Sequence, residues 1–367
     1  MNHSDYALRR SSLPRRDGQG RRRGQALALV LAVCLLSACS GGSREPVDHA
    51  DPSPPTRTPF PPPTRSAPER AEPEPFVAGT FDLDVIGEAS GLARSVRNPD
   101  VVYVLDDGPG STGVLALDIR ADRATTVTVA GFEGRDTEGL AVGPCGARGR
   151  RSCLFIGDIG NNQGAWTSVD VWRVREPDLS RTDGAITVRG DVATYTYPDA
   201  PVDAEALLVE RGRPFLITKE SRPEGSSRTS RPRLLAARGF ADGQLRDLGP
   251  IPLPLPASGG WAAALYGNVV TDAELVDGRV VLRTYDHVMV YTPHRPGARL
   301  RTLARWAPEE IDTPRMPQGE AVTMDHCGIW LASEQVDSVW LVPWRSPPPD
   351  DADDAQEQAC PNGSAHS

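Results

Sequence analysis

Five short fragments of this 367-residue chain share one pattern, a small residue opening an apolar run with a carboxylate or serine directly before it. They are EASGLARS (88–95), RDTEGLAVGP (135–144), DAEALLVE (203–210), TDAELVDG (271–278) and QGEAVTMD (318–325). Aligned on Gly91, Gly139, Ala206, Ala273 and Ala321, they recur at spacings of 48, 67, 67 and 48 residues. Self-similarity at such a period marks a repeat architecture, in which each unit buries its faces against its neighbours.

The units are built of short β-type runs, among them VVYVLDD, CLFIGD, VDVWRV, VATYTY, FLITKE, RVVLRTY, HVMVYTP and SVWLVPW, separated by Gly, Pro and Asp turns. In the first unit GLARS, VVYVLDD, GVLALDI and TTVTVAG make four strands in about fifty residues, the signature of a propeller blade. Longer units carry polar stretches, EPDLSRTDGAI and ESRPEGSSRTSR, which read as loops. The fifth unit lacks a fourth strand, and VAGTFDLDV at the start of the domain is a strand to spare. The pattern therefore predicts an all-β fold: a β-propeller of five blades, or six if two units are merged. An N-terminal strand completes the last blade and removes its exposed edge.

The innermost strand of each blade lines the central channel, where strands crowd and small side chains fit. An acid at its start points into the mouth, so Glu138, Glu205, Asp272 and Glu320 are expected around one opening; alternatively each caps a turn in its own blade. A second polar column closes strand two of successive blades: Asp106 and Asp107, Asp158, Lys219 with Glu220, Arg283, and Glu334. Lys219 is the one lysine among forty basic residues. An ammonium differs from a guanidinium in coordination and in its ability to deprotonate, so this position is a candidate for needing lysine itself. GDIGNN (157–162) offers Asp158, Asn161 and Asn162 as oxygen ligands for Ca²⁺ in a Gly-broken turn, which Asx capping explains equally well. The chain has no G-x-S-x-G, H-E-x-x-H or P-loop, and its six histidines are scattered.

Seven arginines precede an uncharged run, Gln25–Ser37, whose apolar core ALALVLAVCLL has the length of a signal-peptide h-region and is too short to span a bilayer. Leu36, Ser37, Ala38 and Cys39 follow, and here the chain resembles a bacterial lipobox. That resemblance implies cleavage after residue 38, acylation of Cys39 and a lipid-anchored protein on the extracytoplasmic face of the cell membrane; the export route, Sec or twin-arginine, stays open. Residues 39–75 are rich in Pro, Ser, Thr and Arg and read as a disordered linker reaching about 100 Å. Residues 76–345 are left for the propeller, and residues 346–367 form an acidic tail.

Removing residues 1–38 takes away seven arginines and two aspartates, leaving 33 basic and 47 acidic residues, net −14. This excludes the basic footprint of a nucleic-acid binder. Cys145, Cys153, Cys327 and Cys360 remain in an oxidising compartment. Cys145 and Cys153 flank the turn GARGRRS, which suits a hairpin disulfide, and Cys327 and Cys360 pair by elimination; a zinc site is the alternative.

At SGLARS…NPDVVYVLDD, DTEGLAVGP, LFIGDIGNN, VWRVREP, EALLV…LITKE and GEAV…LASEQ the chain resembles a group of secreted bacterial β-propeller proteins over nearly all of 78–345. More remotely it is similar to phytase-like and esterase-like propellers. In phytase-type propellers a cluster of acids binds calcium and phosphate over the channel. The carboxylates here match in kind, while a full calcium set and the basic phosphate-binding residues have no identified counterpart. The expected function is thus binding of a small ligand or cell-envelope protein at the channel mouth without catalysis. The alternative is a Ca²⁺-dependent hydrolase of phosphate or ester substrates.

Overall fold

Strands in the middle of each unit are apolar at consecutive positions, and the fold explains why: each lies in a sheet with another sheet packed on either face. Val101–Asp106 (VVYVLD) is buried at five consecutive residues and Gly328–Ser333 at all six, whereas the outer Arg123–Val129 alternates. The computed structural model describes residues 74–182, 184–219, 231–254, 269–344 and 360–361. The chain divides into Met1–Ala67 and Pro68–Ser367, and every described residue lies in the second unit. The signal segment, Cys39, most of the Pro-rich linker, Glu220 and most of the acidic tail lie outside the described residues.

The strands form five sheets, each a blade. Blade one is β2 (Ala89–Arg94), β3 (Val101–Asp106), β4 (Gly113–Asp118) and β5 (Arg123–Val129). Blade two is β6 (Thr137–Pro144), β7 (Ser152–Asp158), β8 (Ser168–Arg175) and, after β9 (Gly184–Val188), β10 (Gly190–Thr196). Blade three is β11 (Ala204–Glu210), β12 (Arg213–Thr218), β13 (Arg233–Ala236) and, after the two-residue β14 (Gly243–Gln244), β15 (Arg246–Pro250). Blade four is β16 (Val270–Val276), β17 (Arg279–Thr284), β18 (Val288–Thr292) and β19 (Ala307–Ile311). Blade five is β20 (Gly319–Asp325), β21 (Gly328–Ser333), β22 (Ser338–Pro343) and the N-terminal β1 (Phe76–Thr80), which pairs antiparallel with β22. The chain is a five-bladed β-propeller closed by its first strand.

The inner strands form a closed ring, β2 against β6, β6 against β11, β11 against β16, β16 against β20, and β20 back to β2. Five apolar cores fill the wedges between adjacent blades. Large side chains key into them, including Tyr103, Phe155, Phe215, Tyr291 and Trp330, all fully buried. Burial of each contributes roughly 1.5–3 kcal/mol. The small residues of the repeat allow the ring to close: a Cβ at Gly139 would lie 2.6 Å from Cβ of Leu207 in the next blade, and one at Gly91 2.9 Å from Cβ of Leu140.

One stretch read as a loop differs. Gly184–Val188, which begins in the last three residues of EPDLSRTDGAI, is a strand running parallel to β5 and extends blade one; β14 likewise runs parallel to the edge of β10. Both cover sheet edges that would otherwise be open to pairing. A 3-10 helix, Leu300–Arg305, sets Leu300 and Leu303 into the core between blades three and four.

Cys145 and Cys153 are bonded across the β6–β7 hairpin, and Cys327 is bonded to Cys360, tethering the end of the chain to the β20–β21 turn. The zinc alternative falls, because all four sulfurs are in disulfides.

Candidate functional site at the channel mouth

Each inner strand begins with a β-bulge, one residue left out of the ladder with strand two. The skipped residues are Ser90, Glu138, Glu205, Thr271 and Glu320. A bulge re-aims the side chain it carries, which explains why one position in each repeat can break the inside–outside alternation of its strand. In blade four that position belongs to Thr271, and Asp272 stands one residue further on, a correction to the alignment on Ala273. Hydrogen bonds confirm the equivalence. Ser90 Oγ donates to the carbonyl of Thr137 at 2.7 Å and Thr271 Oγ1 to that of Gly319 at 2.9 Å, each the residue before the next blade's bulge. The mouth ring therefore holds three carboxyls and two hydroxyls.

Asp272 has a different task. Its Oδ2 accepts from the backbone N–H of Val322 at 2.8 Å and of Leu92, in another blade, at 3.4 Å, and Oδ1 accepts from Ala273 N–H. Glu274, two residues on and hence on the same side of the strand, accepts from Val142 N–H at 3.2 Å and from the Thr323 hydroxyl. The two acids thus satisfy inner-strand amides of three other blades from within the ring. Burial pushes both above the usual carboxylate range, Glu274 to about 8, against the pull of the donors they accept from.

Strand two ends in a matching column. The last paired residues are Asp106, Asp158, Thr218, Thr284 and Ser333, and the residues after them are Asp107, Ile159, Lys219, Tyr285 and Glu334. Members of the first set hold loops. Asp106 accepts from the N–H groups of Gly87 and Glu88, and Asp158 from those of Arg135 and Asp136 and from the Arg135 guanidinium at 2.6 Å. Asn161 uses its side-chain amide on both backbone groups of Trp166. Asp158 and Asn161 are therefore fully engaged turn residues, and the Ca²⁺ set suggested by GDIGNN does not assemble. Arg283 falls one residue before its expected place. Its buried Nη1 donates to the carbonyls of Ala321 and Ala332, and Gly319 leaves it room, since a Cβ there would lie 2.4 Å from Nη2.

The second set meets the bulge acids. Lys219 Nζ lies 2.9 Å from Oε1 of Glu205, an ion pair rather than a well-aligned hydrogen bond, with Glu205 only 1 % exposed. Lys219 also bonds to Tyr285. Burial alone would lower the ammonium's pKa; Glu205, then Tyr285, Glu138 and Glu320 raise it above the ordinary lysine value. Burial raises Glu205, and although Lys219 pulls it down the net shift is upward, to about 8. Glu320 is raised well above its usual range by burial and the charge of Glu205; it accepts from the Gln318 amide and hydrogen-bonds with Glu334. Burial and the charges of Glu205 and Asp107 lift Glu138 well above its usual range, and burial with the charge of Asp136 lifts Asp107 to about 8.

Of the residues expected from sequence, the structure brings together Asp107, Glu138, Glu205, Lys219, Glu320 and Glu334, and sets Asp158, Asn161, Asp272 and Arg283 apart in structural roles. Sequence reasoning missed Tyr285, two residues beyond Arg283 in LRTY, and Asp136, two before Glu138. Asp136 lies in the bend before β6 and Glu138 on its bulge, so strand alternation gave no signal for it.

Fold and site together define a five-bladed β-propeller with buried carboxyls clustered where its inner strands begin. No family model and no curated relative matches the chain. Among solved structures it is similar to U3-55K, with 10 % identity over 70 % of this chain and 80 % of that one and a TM-score of 0.32. It is similar to the Pan2 WD40 domain of Neurospora crassa, at 8 % identity over 70 % of this chain and 64 % of that one, TM-score 0.29. For the hydrazine synthase of Kuenenia stuttgartiensis the values are 10 %, 71 %, 96 % and 0.36. Nothing about activity or partners transfers at these values, and the propeller rests on the strand order above.

Proposed function

We propose that the protein is a lipid-anchored, extracytoplasmic β-propeller that binds a ligand at its channel mouth, a small molecule or a side chain of a cell-envelope protein, without transforming it. The observation that carries this reading is the mismatch between what the bulge needs and what it holds. Ser90 and Thr271 tie the bulge to the next blade with a neutral hydroxyl. Glu138, Glu205 and Glu320 occupy the same position with carboxyls that are 5 %, 1 % and 6 % exposed. Buried carboxyls are costly, and the fold has a cheaper residue for the position, so the acids point to a task other than folding.

A second reading, a cation-dependent hydrolase of phosphate or esters, is favoured by one contact: an oxygen from each of Asp107, Asp136 and Glu138 lies within 4.8 Å of the others. Against it, the mouth's ammonium is held by Glu205 and is not poised for a phosphate. The anchor rests on LSAC after a short apolar segment, with the linker as spacer.

The test is a thermal-shift screen of the full chain against envelope-derived small molecules and peptides, run beside assays on phosphate and carboxylic esters. Ligands that raise Tm in the wild type and lose their effect in Glu320→Gln support the binding reading. Turnover abolished by Glu138→Gln moves the conclusion to the hydrolase, and hits indifferent to both substitutions refute the mouth as the site. Fractionation of Cys39→Ser tests the anchor: the variant should leave the membrane fraction, and equal retention would exclude lipidation at Cys39.

A further inference from the structure

We infer that Asp107, Asp136 and Glu138 form a binding site for one hard divalent cation, suited to calcium, where blades one and two meet at the channel mouth. The inference rests on the mouth being the binding site and names what binds there. Each of the three side chains offers an oxygen, all within 4.8 Å of one another. Calcium takes oxygen ligands at about 2.3–2.6 Å in a flexible shell of six to eight, so oxygens on opposite sides of one ion stand up to roughly 5 Å apart. Magnesium's near-ideal octahedron at about 2.0–2.1 Å suits three unevenly held carboxyls less well.

Proximity of acids alone would say little, but two of the three are unpartnered. Glu138 is 5 % exposed, and its carboxyl makes no hydrogen bond or ion pair with any described residue. Asp107 Oδ1 is buried without a hydrogen-bond partner. Buried polar atoms in native proteins almost always have partners, and an unpaired one calls for an ion or water to complete it. The third acid is fixed in place. Asn162 N–H bonds to Asp136, and Gly160 presses so close that a Cβ there would lie 2.4 Å from Asp136 Cγ. GDIGNN thus supplies the wall behind a ligand rather than the ligands.

The other acids are taken. Lys219 neutralises Glu205, Glu320 bonds to Gln318 and Glu334, and Asp272 holds three amides. What is left is a triad of carboxyls with no salt bridge among the described residues, which Lys219 reaches only at longer range. Three side chains fill only part of calcium's shell, so positions stay open toward the mouth for water or a ligand's oxygens.

The experiment uses the full chain in detergent, stripped with chelator and dialysed, titrated with CaCl₂ by calorimetry and followed by thermal unfolding. The expected result is one calcium per chain, with Tm raised by roughly 5–10 °C at about a hundredfold excess over Kd. Asp136→Asn and Glu138→Gln should each weaken binding at least about tenfold, and Glu309→Gln, exposed on the outer strand of blade four, no more than about twofold. MgCl₂ should bind at least about tenfold more weakly. Near-UV circular dichroism and apo Tm verify folding; Glu138→Gln removes an unpaired buried acid and should melt no lower than the wild type, and Asp107→Asn serves as a further triad variant. Absence of calcium binding in the wild type, or undiminished binding in both triad variants, overturns the site. If calcium fails while a screening hit is still lost in Glu320→Gln, the cation site falls and the mouth stands. If calcium binds as described and no screening hit depends on Glu320, the reverse holds.

Discussion

Replacing Lys219 by Met removes the ammonium facing Glu138, Glu205 and Glu320 while keeping a straight apolar side chain in its place. Glu205, 1 % exposed, then has no counter-charge at 2.9 Å. At an effective dielectric constant of about 20, that contact represents roughly 6 kcal/mol of attraction. The whole of it is not lost, because the carboxyl can take up a proton. Protonating a carboxyl whose ordinary pKa is 4.5 costs about 3.4 kcal/mol at pH 7, and this caps the loss. Lys219→Met is therefore expected to destabilise by up to about 3 kcal/mol at pH 7, the ceiling set by full ionisation of Glu205, and by less than about 1 kcal/mol at pH 5. For a domain of this size that is a fall in Tm of at most roughly 6–12 °C at pH 7. The assay is equilibrium denaturation of the wild type, Lys219→Met, Glu205→Gln and the double variant at both pH values. Glu205→Gln should cost less than Lys219→Met, since Glu138 and Glu320 still face the ammonium, and the double variant should recover most of the loss. A loss equal at pH 5 and pH 7, or additivity of the two single changes, would refute the charge cluster.

Three further outcomes are expected. Glu274 is fully buried with its pKa raised to about 8, so its contribution to stability is complete below pH 4.5 and declines as the pH rises through 8. Tm should fall between pH 5.5 and 8.5, and Glu274→Gln should flatten that slope; an unchanged slope in scanning fluorimetry would show that the group titrates elsewhere. Deleting Phe76–Thr80 opens the edge of β22 and should lower Tm and produce concentration-dependent association by light scattering, whereas a monomer of unchanged Tm would contradict closure by β1. The paired change Cys145→Ala and Cys153→Ala, which opens a loop of sequence separation 8, should cost about 2–3 kcal/mol in denaturant titration without loss of the fold. Aggregation on expression would place more of the fold's stability in that hairpin than loop entropy provides.

Blade number, the closing strand, the inner-strand position of the repeat and both disulfides were legible in the sequence. They depend on local period, on turn residues and on cysteine count, all of which a chain carries in linear order. Asp277–Gly278, both at positive φ in the β16–β17 hairpin, show how directly a turn is written. Which acids face the mouth was not legible, because one β-bulge per blade decides it and a bulge slips the register by a single residue. In blade four that slip gives the mouth position to Thr271 and sends Asp272 to the inner-strand amides of blades one and five. By the same small displacement Tyr285 takes the place expected of Arg283 and joins Lys219, while Arg283 turns inward to two carbonyls. Repetition therefore fixed the ring, and the pairing of each inner strand with its neighbour fixed the site. A side chain's direction in a sheet changes completely over one residue, while the hydrophobic pattern that builds the blade tolerates the shift.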